Sequence, residues 1–336
     1  MRRPGALSLD FRADSFDHPS GLVDAGTVIG WIDKVAYAVA ASWSGMHVRA
    51  RYMGNMQFRR PIPVDTRVTV QGRVVRTHAA AVHVQTRLLL PEILDDDGRP
   101  VVSTSSICVY AAEEDGVPQD VPEWIPSTPG QIERNDQART SSIERRAVEK
   151  AMARLPFPDP EPGHDEMVSL AFIAPITEAS VGGTVRGGAV MRWLDEAAGV
   201  CAARWTGHEN VAAVFAGGVR FVRPVQVGDL VRVDALLVNT SERSMHVALR
   251  VHAGPRHRKD HRLVAHSISV MVDVTTSGQA GVVPQYTPES DAARRLQESS
   301  VELVRLRTEV GSAWSTPEPR VPKTPEARGA VDPTAP

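Results

Sequence analysis

Two long apolar runs without proline stand out in the pattern of hydrophobic and polar positions, and each predicts a helix. They are GLVDAGTVIGWIDKVAYAVAAS at 21–42 and GTVRGGAVMRWLDEAAGVCAAR at 183–204. Apolar positions in the second run cover far more than one narrow stripe, which predicts a helix wrapped by other structure. Each run starts at a glycine-bearing turn and carries one acid at its middle, Asp33 and Asp195. A carboxylate in a buried helix needs a chemical task or a charged partner.

The segments that follow each helix predict antiparallel strands. After the first helix come RYMGNMQFRRPIPVDTRVTVQGRVV, AAVHVQTRLLL and VVSTSSICVYA, which are rich in Val, Thr and Arg and are separated by turn residues. Apolar residues alternate from Val68 to Val74 and from Val82 to Leu88, as expected when one face of a sheet packs against a helix. The pattern therefore predicts an α+β fold in which a curled antiparallel sheet wraps a central helix.

This order of elements occurs twice along the chain. Matched pairs lie 163 positions apart, namely Phe58 with Phe221, Pro61 with Pro224 and His83 with His246. So long a period indicates two tandem domains of one fold, whose sheets we expect to join edge to edge. The predicted parts are a first domain at 1–112, a polar Pro-rich linker at 113–165 with a short helix at 142–154, a second domain at 166–276, and a segment at 277–336 with a helix at 291–310 and a disordered tail.

Composition narrows the classes of function. Lys and Arg total 38 and Asp and Glu total 40, so the net charge of −2 gives no overall attraction to nucleic acid or to an anionic membrane. Cys108 and Cys201 are the only cysteines, and both lie in apolar runs that predict reduced core residues rather than disulfide or metal ligands. The chain contains neither a secretory h-region nor an apolar run of the roughly 20 residues that span a bilayer. We therefore expect a soluble cytoplasmic protein without a metal site.

The motif GTVRGGAVMRWLDEAAG, followed by FVRPVQVGDLVRVDA, resembles the hotdog-fold acyl-CoA thioesterases, and the duplication resembles their tandem double-hotdog members. The resemblance covers residues 15–112 and 168–275. It implies hydrolysis of a fatty acyl-CoA at the interface of two fused hotdog domains, with no cofactor beyond the CoA of the substrate. It also implies that the acid of one half faces the glycine turn of the other, and that such units form a homo-oligomer, a trimer of double hotdogs.

The resemblance defines a first candidate site that joins Asp33 to Thr184, Gly187 and Gly188. A helix N-terminus presents free N–H groups and a partial positive charge, so the glycine pair is a candidate to hold the thioester carbonyl and its developing oxyanion. The acid would activate water as a general base or attack the thioester directly. A turn glycine needed only for backbone geometry is the alternative explanation of the pair.

The second candidate site joins Asp195 to His18, Ala25 and Gly26. It offers a histidine, a residue type able to titrate near neutral pH, but the first half has Ala25-Gly26 in place of a glycine pair. Both halves retain the acid, so the acids do not distinguish the two sites. Only the site with Asp33 contains a glycine pair, and we therefore expect that site to dominate. The competing explanation for the acids is an ion pair, with Arg192 three residues before Asp195 and Lys34 next to Asp33.

Other features leave alternatives open. Arg256 and Arg258, in the basic loop PRHRKDHR, are candidates to bind the phosphates of coenzyme A, although a solvated hairpin tip explains them as well. Where the family often has Asn before the glycine turn, this chain has His18 and Ser180. That departure keeps open a non-catalytic acyl-CoA-binding protein. A hotdog-fold hydratase or dehydratase is a further alternative, without an evident histidine signature.

Overall fold

The computed structural model describes residues 5–13, 21–58, 60–154, 157, 167–180 and 182–312. The helices are α1 (Ala25–Ser44), α2 (Pro129–Arg154), α3 (Gly187–Thr206) and α4 (Asp291–Ser312), with a 3-10 turn at Ile176–Glu178. The strands before α2 are β1 (Ala6–Arg12), β2 (Val48–Met53), β3 (Met56–Gln57), β4 (Arg67–His78), β5 (Ala81–Leu94), β6 (Pro100–Glu114) and β7 (Val117–Pro118). Those after α2 are β8 (Met167–Ile173), β9 (Val211–Ala216), β10 (Val219–Phe221), β11 (Leu230–Thr240), β12 (Met245–Gly254) and β13 (Arg262–Asp273).

The described strands form one antiparallel sheet. Its main path runs β1-β4-β5-β6-β2-β10-β13-β12-β11-β8. The two halves of the chain meet where β10 pairs with β2, with Val219 opposite Met53 and Arg220 opposite Tyr52. The edge-to-edge junction predicted from the repeat is therefore present in the structure. Read outward from this junction, the order β6-β5-β4-β1 on one side corresponds to β13-β12-β11-β8 on the other.

The helices α1 and α3 lie side by side against the inner face of this sheet. α1 packs on β4 and β5, α3 packs on β11, β12 and β13, and the two helices contact each other within one apolar core. The predicted alternation holds in β4, where Val68 and Val70 are fully buried and Gly72 leaves room for Val35 of α1. The pairing of α1 with α3 brings the middle of one helix to the start of the other.

The outer face of the sheet is covered in its second half. α2 and α4 contact each other and enclose a second apolar cluster that includes Val148, Leu236, Ile268 and Leu303. As a result, residues Val264 to Asp273 of β13 are buried on both faces of the strand. This part of the outer face is therefore covered within the chain itself.

The predicted linker helix was too short. α2 begins at Pro129 rather than at Ser142, and its first half packs Ala138 against Val75 and Ile107. The residues of this first half are mostly polar, and their hydrophobicity shows little helical periodicity. Packing against the sheet therefore stabilises this part of α2. The boundary predicted at 112 falls within β6, while α4 matches the predicted C-terminal helix. The predicted disordered tail from 315 onward lies outside the described residues.

No described helix is long and apolar enough to cross a membrane. Cys108 and Cys201 are both buried thiols of the core, as the sequence predicted. Within the same described ranges, no group of three or more His, Cys, Asp or Glu side chains is arranged to hold a metal ion.

Candidate active site

Asp33 lies at the middle of α1 and is only 4% exposed. The hydroxyl of Tyr110 donates to its Oδ1 at 2.5 Å, and the backbone N–H of Gly188 donates to the same carboxylate. Burial raises the pKa of Asp33 above its ordinary value, because desolvation penalises the charged form more than the bonds from Tyr110 and Gly188 favour it. The side chain is therefore a buried, oriented carboxyl group with raised basicity.

The glycines at the start of α3 are required by close packing. A Cβ on Gly188 would lie 2.8 Å from Cβ and 2.9 Å from Oδ2 of Asp33, and a Cβ on Gly187 would lie 2.8 Å from Cβ of Ala50. Such distances are far below ordinary van der Waals contact. The absence of side chains at both positions is thus what lets α3 begin directly against the acid of α1.

The two glycine N–H groups differ in what they can bind. The family resemblance implied that both hold the substrate carbonyl, but the N–H of Gly188 is already bonded to Asp33. Gly187 is the first residue of α3, so no carbonyl of the helix can accept its N–H, and it lines the cavity described below. Arg186 provides no side-chain cap. Gly187 is therefore the donor that remains for a ligand.

A cavity of about 180 Å³ opens between the two halves at this point. Of the residues predicted for the first site, Asp33, Thr184 and Gly187 line it, together with Tyr110, while Gly188 does not. Its other lining residues include the apolar Val190, Val225 and Val264, the hydroxyl-bearing Tyr37 and Ser180, and the cationic Lys34, Arg49, Arg51, Arg186 and Arg223. Among the described residues that line it, Asp33 is the only carboxylate.

Asp195 occupies the matching place in α3, facing the start of α1. The N–H of Gly26 donates to its Oδ2 at 2.9 Å, while its buried Oδ1 has no hydrogen-bond partner among the described residues. Burial, together with the nearby charge of Asp24, raises the pKa of Asp195 to about 7. Asp195 does not line the 180 Å³ cavity. Ala25 and Gly26 are the first residues of α1, and His18 lies outside the described residues.

Neither acid is explained by the ion pairs proposed as an alternative. Arg192 pairs with Glu178 at 2.7 Å and with Glu196 at 3.5 Å, not with Asp195. Glu178 also pairs with Arg186 at 2.5 Å, so this buried acid holds two arginines at the start of α3. The carboxyl group of Asp33 is bonded by a hydroxyl and an amide, and Lys34 beside it is exposed.

The remaining candidates lie elsewhere. Arg256 and Arg258 are exposed at the tip between β12 and β13 and are not among the residues that line the cavity at Asp33. His83 and His246 lie in β5 and β12, as predicted for sheet residues, and burial lowers the pKa of both.

Tyr110 is the functional residue that the sequence analysis missed. It lies in β6, 77 positions from Asp33, and is 1% exposed. A signal was present in the alternation of Cys108, Tyr110 and Ala112, which places a polar hydroxyl on the face that packs against the helices. Only the register of the sheet determines which residue of α1 that hydroxyl meets.

The known proteins that this chain resembles are thioesterases. The model of the thioesterase superfamily matches residues 21–91 and 182–259. Cytosolic acyl coenzyme A thioester hydrolase of Homo sapiens is 21% identical over 306 residues, spanning 86% of this chain and 80% of that protein. Its Rattus norvegicus counterpart is 22% identical over 306 residues, spanning 86% and 79%. A Lactobacillus plantarum crystal structure, assigned provisionally as an oleoyl thioesterase, aligns with a TM-score of 0.53 at 12% identity, covering 83% of this chain and 97% of that chain.

The antiparallel sheet folded around long helices is an α+β hotdog fold. The model of the thioesterase superfamily thus matches one segment in each half of the chain. The two matched segments contain Asp33 and Asp195, the acids of the two candidate sites.

Replacing Tyr110 is expected to change the pH dependence of the site. The Tyr110 hydroxyl lowers the pKa of Asp33, so Tyr110→Phe raises that pKa further, and activity that needs the carboxylate sets in at higher pH. The measurement is the acid limb of kcat/KM against pH. Tyr37→Phe is the matched control, since this ring lies edge-on to Tyr110 with centroids 6.2 Å apart. An unchanged acid limb in Tyr110→Phe would contradict the assigned bond.

The stability of the protein should report the state of Asp195. Its pKa is raised from 3.8 to about 7 on folding. The contribution of protonated Asp195 to the free energy of unfolding is therefore fully present below about pH 4 and is lost as pH rises through 7. Asp195→Asn removes that loss and is expected to be the more stable protein at pH 8, by up to about 4 kcal/mol. Urea unfolding at pH 4 and pH 8 measures it. Equal differences between the two proteins at both pH values would show that Asp195 is not perturbed.

Proposed function

We propose that this protein hydrolyses an acyl-CoA thioester, of a fatty acid class, to the free acid and CoA, at the cavity between α1 and α3. The observation that carries the proposal is the buried carboxyl of Asp33 held against the start of α3 in a cavity that both halves line. Relatives named cytosolic acyl-CoA thioester hydrolase support the substrate class and a cytoplasmic location. No cofactor other than the CoA of the substrate is proposed.

In this mechanism Asp33 takes a proton from water while the water oxygen bonds to the thioester carbonyl carbon. The electron pair of the carbonyl moves onto its oxygen, and the N–H of Gly187 stabilises the resulting charge. Collapse of the intermediate breaks the carbon–sulfur bond, and the proton held by Asp33 goes to the departing sulfur. The products are one carboxylic acid and one thiol.

The geometry favours general base catalysis over direct attack by Asp33. The carboxylate already accepts bonds from the Tyr110 hydroxyl and the Gly188 N–H. These bonds fix its plane and reduce its nucleophilicity, while they leave lone pairs for a water molecule. Thr184, whose Oγ1 lies 3.1 Å from Oγ of Ser180, lines the same cavity and would orient that water or the thioester.

The site with Asp33 is proposed to be the active one. Asp195 faces Gly26 but lies beside Asp24 and Glu196, whose negative charges oppose the build-up of an oxyanion. The N-terminus of α1 is also capped, because the Asp24 side chain accepts from the N–H of Thr27 at 2.6 Å. At the start of α3 the equivalent residue, Arg186, provides no side-chain cap.

Release of free CoA from a panel of acyl-CoAs of increasing chain length tests the activity. Hydrolysis with a preference for one range of chain length is the expected result. Saturable binding of acyl-CoA without release of CoA would favour the non-catalytic binding protein instead. Hydration of an enoyl-CoA in the same panel would favour the hydratase.

We further propose two tandem hotdog domains, at 1–112 and 166–276, that associate into a homo-oligomer, a trimer of such units. The repeat in sequence and the mirrored strand order support the tandem arrangement. The outer face of β11 to β13 is not available for association, because α2 and α4 cover it. Light scattering at micromolar concentration tests the assembly, and a monomer would contradict it.

A further inference from the structure

A second cavity, of about 460 Å³, lies on the outer face of the sheet under the linker helix α2. Residues of β2, β4, β5 and β10 form its floor, and one face of α2 forms its wall. Arg51 and Phe221 line both this cavity and the cavity of the candidate active site. Its volume is within the range of about 300–1,000 Å³ that small-molecule sites occupy.

The lining of this cavity is strongly cationic. It carries one carboxylate, Glu149, and six guanidinium groups, those of Arg51, Arg76, Arg139, Arg145, Arg146 and Arg220. Glu149 is already paired with Arg220 at 2.8 Å. Among the described lining residues, no further carboxylate is left to balance the other arginines. Mutual repulsion is visible at Arg51, whose pKa is lowered by burial and by Arg49 and Arg220.

Two buried groups point to a missing partner in the same place. Arg145 is 7% exposed, stacks on the ring of Tyr52 at 4.5 Å and donates from Nη2 to Ser142 at 2.7 Å. Its Nη1 is buried with no hydrogen-bond partner among the described residues. His83, 6% exposed, likewise has a buried Nδ1 without such a partner. A buried guanidinium donor without an acceptor is costly, so an anion that accepts from it would be bound favourably.

We propose that this arginine cavity binds the phosphate groups of a small ligand, with Arg145 as its buried anchor and Arg139 and Arg146 at its mouth. Guanidinium groups bind phosphate oxygens in pairs, and several of them converge here on one cavity. The exposed apolar side chains of Ile143 and Val222, at the same cavity, would contact a non-ionic part of the ligand.

The phosphate groups bound in the arginine cavity can belong to either of two ligands, which the kinetics described below distinguish. One is the CoA part of the substrate, which would reach the arginine cavity past Arg51 and Phe221; this source rests on the proposed function. The other is a free phosphorylated compound that binds beside the active site and does not compete with substrate.

Isothermal titration of the full-length protein with inorganic pyrophosphate at low salt is the direct test, and it does not depend on catalysis. Saturable binding is expected, weakened roughly 10- to 100-fold in Arg145→Gln, as loss of a charge-assisted hydrogen bond implies. Because a buried change affects folding, the exposed pair Arg139→Gln with Arg146→Gln is the second variant, and it should weaken binding in the same direction.

The matched control is Arg256→Gln with Arg258→Gln, which removes the same charge from the hairpin tip. Unchanged pyrophosphate affinity in this control is expected. Absence of saturable binding to the wild-type protein, or an equal loss in the control, would overturn the proposal.

Steady-state kinetics then identify the source. If substrate phosphates occupy the cavity, Arg139→Gln with Arg146→Gln raises KM for acyl-CoA, leaves kcat unchanged and leaves KM for the matching acyl-pantetheine unchanged. If a free phosphorylated compound occupies it, pyrophosphate binds together with acyl-CoA and both KM values stay as in the wild type. Either pattern supports a phosphate site. If the protein does not hydrolyse acyl-CoA at all, only the substrate is excluded as the source of the phosphates.

Discussion

Asp33→Asn is expected to lower kcat/KM for acyl-CoA hydrolysis by roughly 100- to 10,000-fold, the usual contribution of a general base. Asp33 is the one carboxylate among the described residues that line the 180 Å³ cavity. Asn has the same shape and can still accept from Tyr110, but it cannot take a proton from water. Release of free CoA measures the loss, and circular dichroism shows whether the variant is folded.

Asp195→Asn is the matched control, because both acids lie at the middle of their helices and accept an N–H from the start of the other. Its kcat/KM is expected to stay within a few-fold of the wild type, since Asp195 does not line that cavity. Full activity in Asp33→Asn together with loss of activity in Asp195→Asn would assign the chemistry to the other interface.

Gly188→Ala is expected to reduce activity by about 100-fold, because displacement of a catalytic group by about 1 Å has an effect of that size. The new Cβ would lie 2.8 Å from Cβ of Asp33, an atom close to the backbone of a buried helix that cannot rotate away. Overpacking should also destabilise the fold by about 1–3 kcal/mol. The higher helix propensity of Ala offsets part of this loss of stability. Steady-state kinetics and urea unfolding measure the two effects.

Gly199→Ala in the same helix separates close packing from helix propensity. A Cβ there meets no atom within 4 Å, so the change should stabilise α3 by up to about 1 kcal/mol and leave kcat/KM unchanged. Wild-type activity in Gly188→Ala would mean that close contact between α3 and Asp33 is not needed for the reaction.

The sequence was sufficient to predict the elements that form the site. Proline-free apolar runs gave α1 and α3, alternation gave the strands, and the repeat gave the junction of two sheets. The position of Asp33 opposite Gly187 and Gly188 was predicted from the family resemblance, and the close approach of Gly188 explains why a side chain is absent there. The assignment of catalysis to this site remains a prediction.

The contacts that depend on strand register and on competing partners were not predictable in this way. Tyr110 reaches Asp33 across 77 positions, and no spacing rule gives that pairing. Arg192 follows helix spacing toward Asp195, yet it pairs with Glu178, which enters from the 3-10 turn before α3. Likewise, the arginines of α2 line a cationic cavity only because the strands beneath them carry further arginines. Local periodicity predicts elements, whereas tertiary contacts decide which charges meet.

The most direct test of the central claim is a crystal structure of the protein with a non-hydrolysable acyl-CoA ketone, in which a methylene group separates the carbonyl from sulfur. The ketone carbon is predicted to lie within reach of a water bound to Asp33, with its oxygen accepting the N–H of Gly187. A ketone seated instead against Asp195 and Gly26, with the cavity at Asp33 unoccupied, would contradict the proposed site.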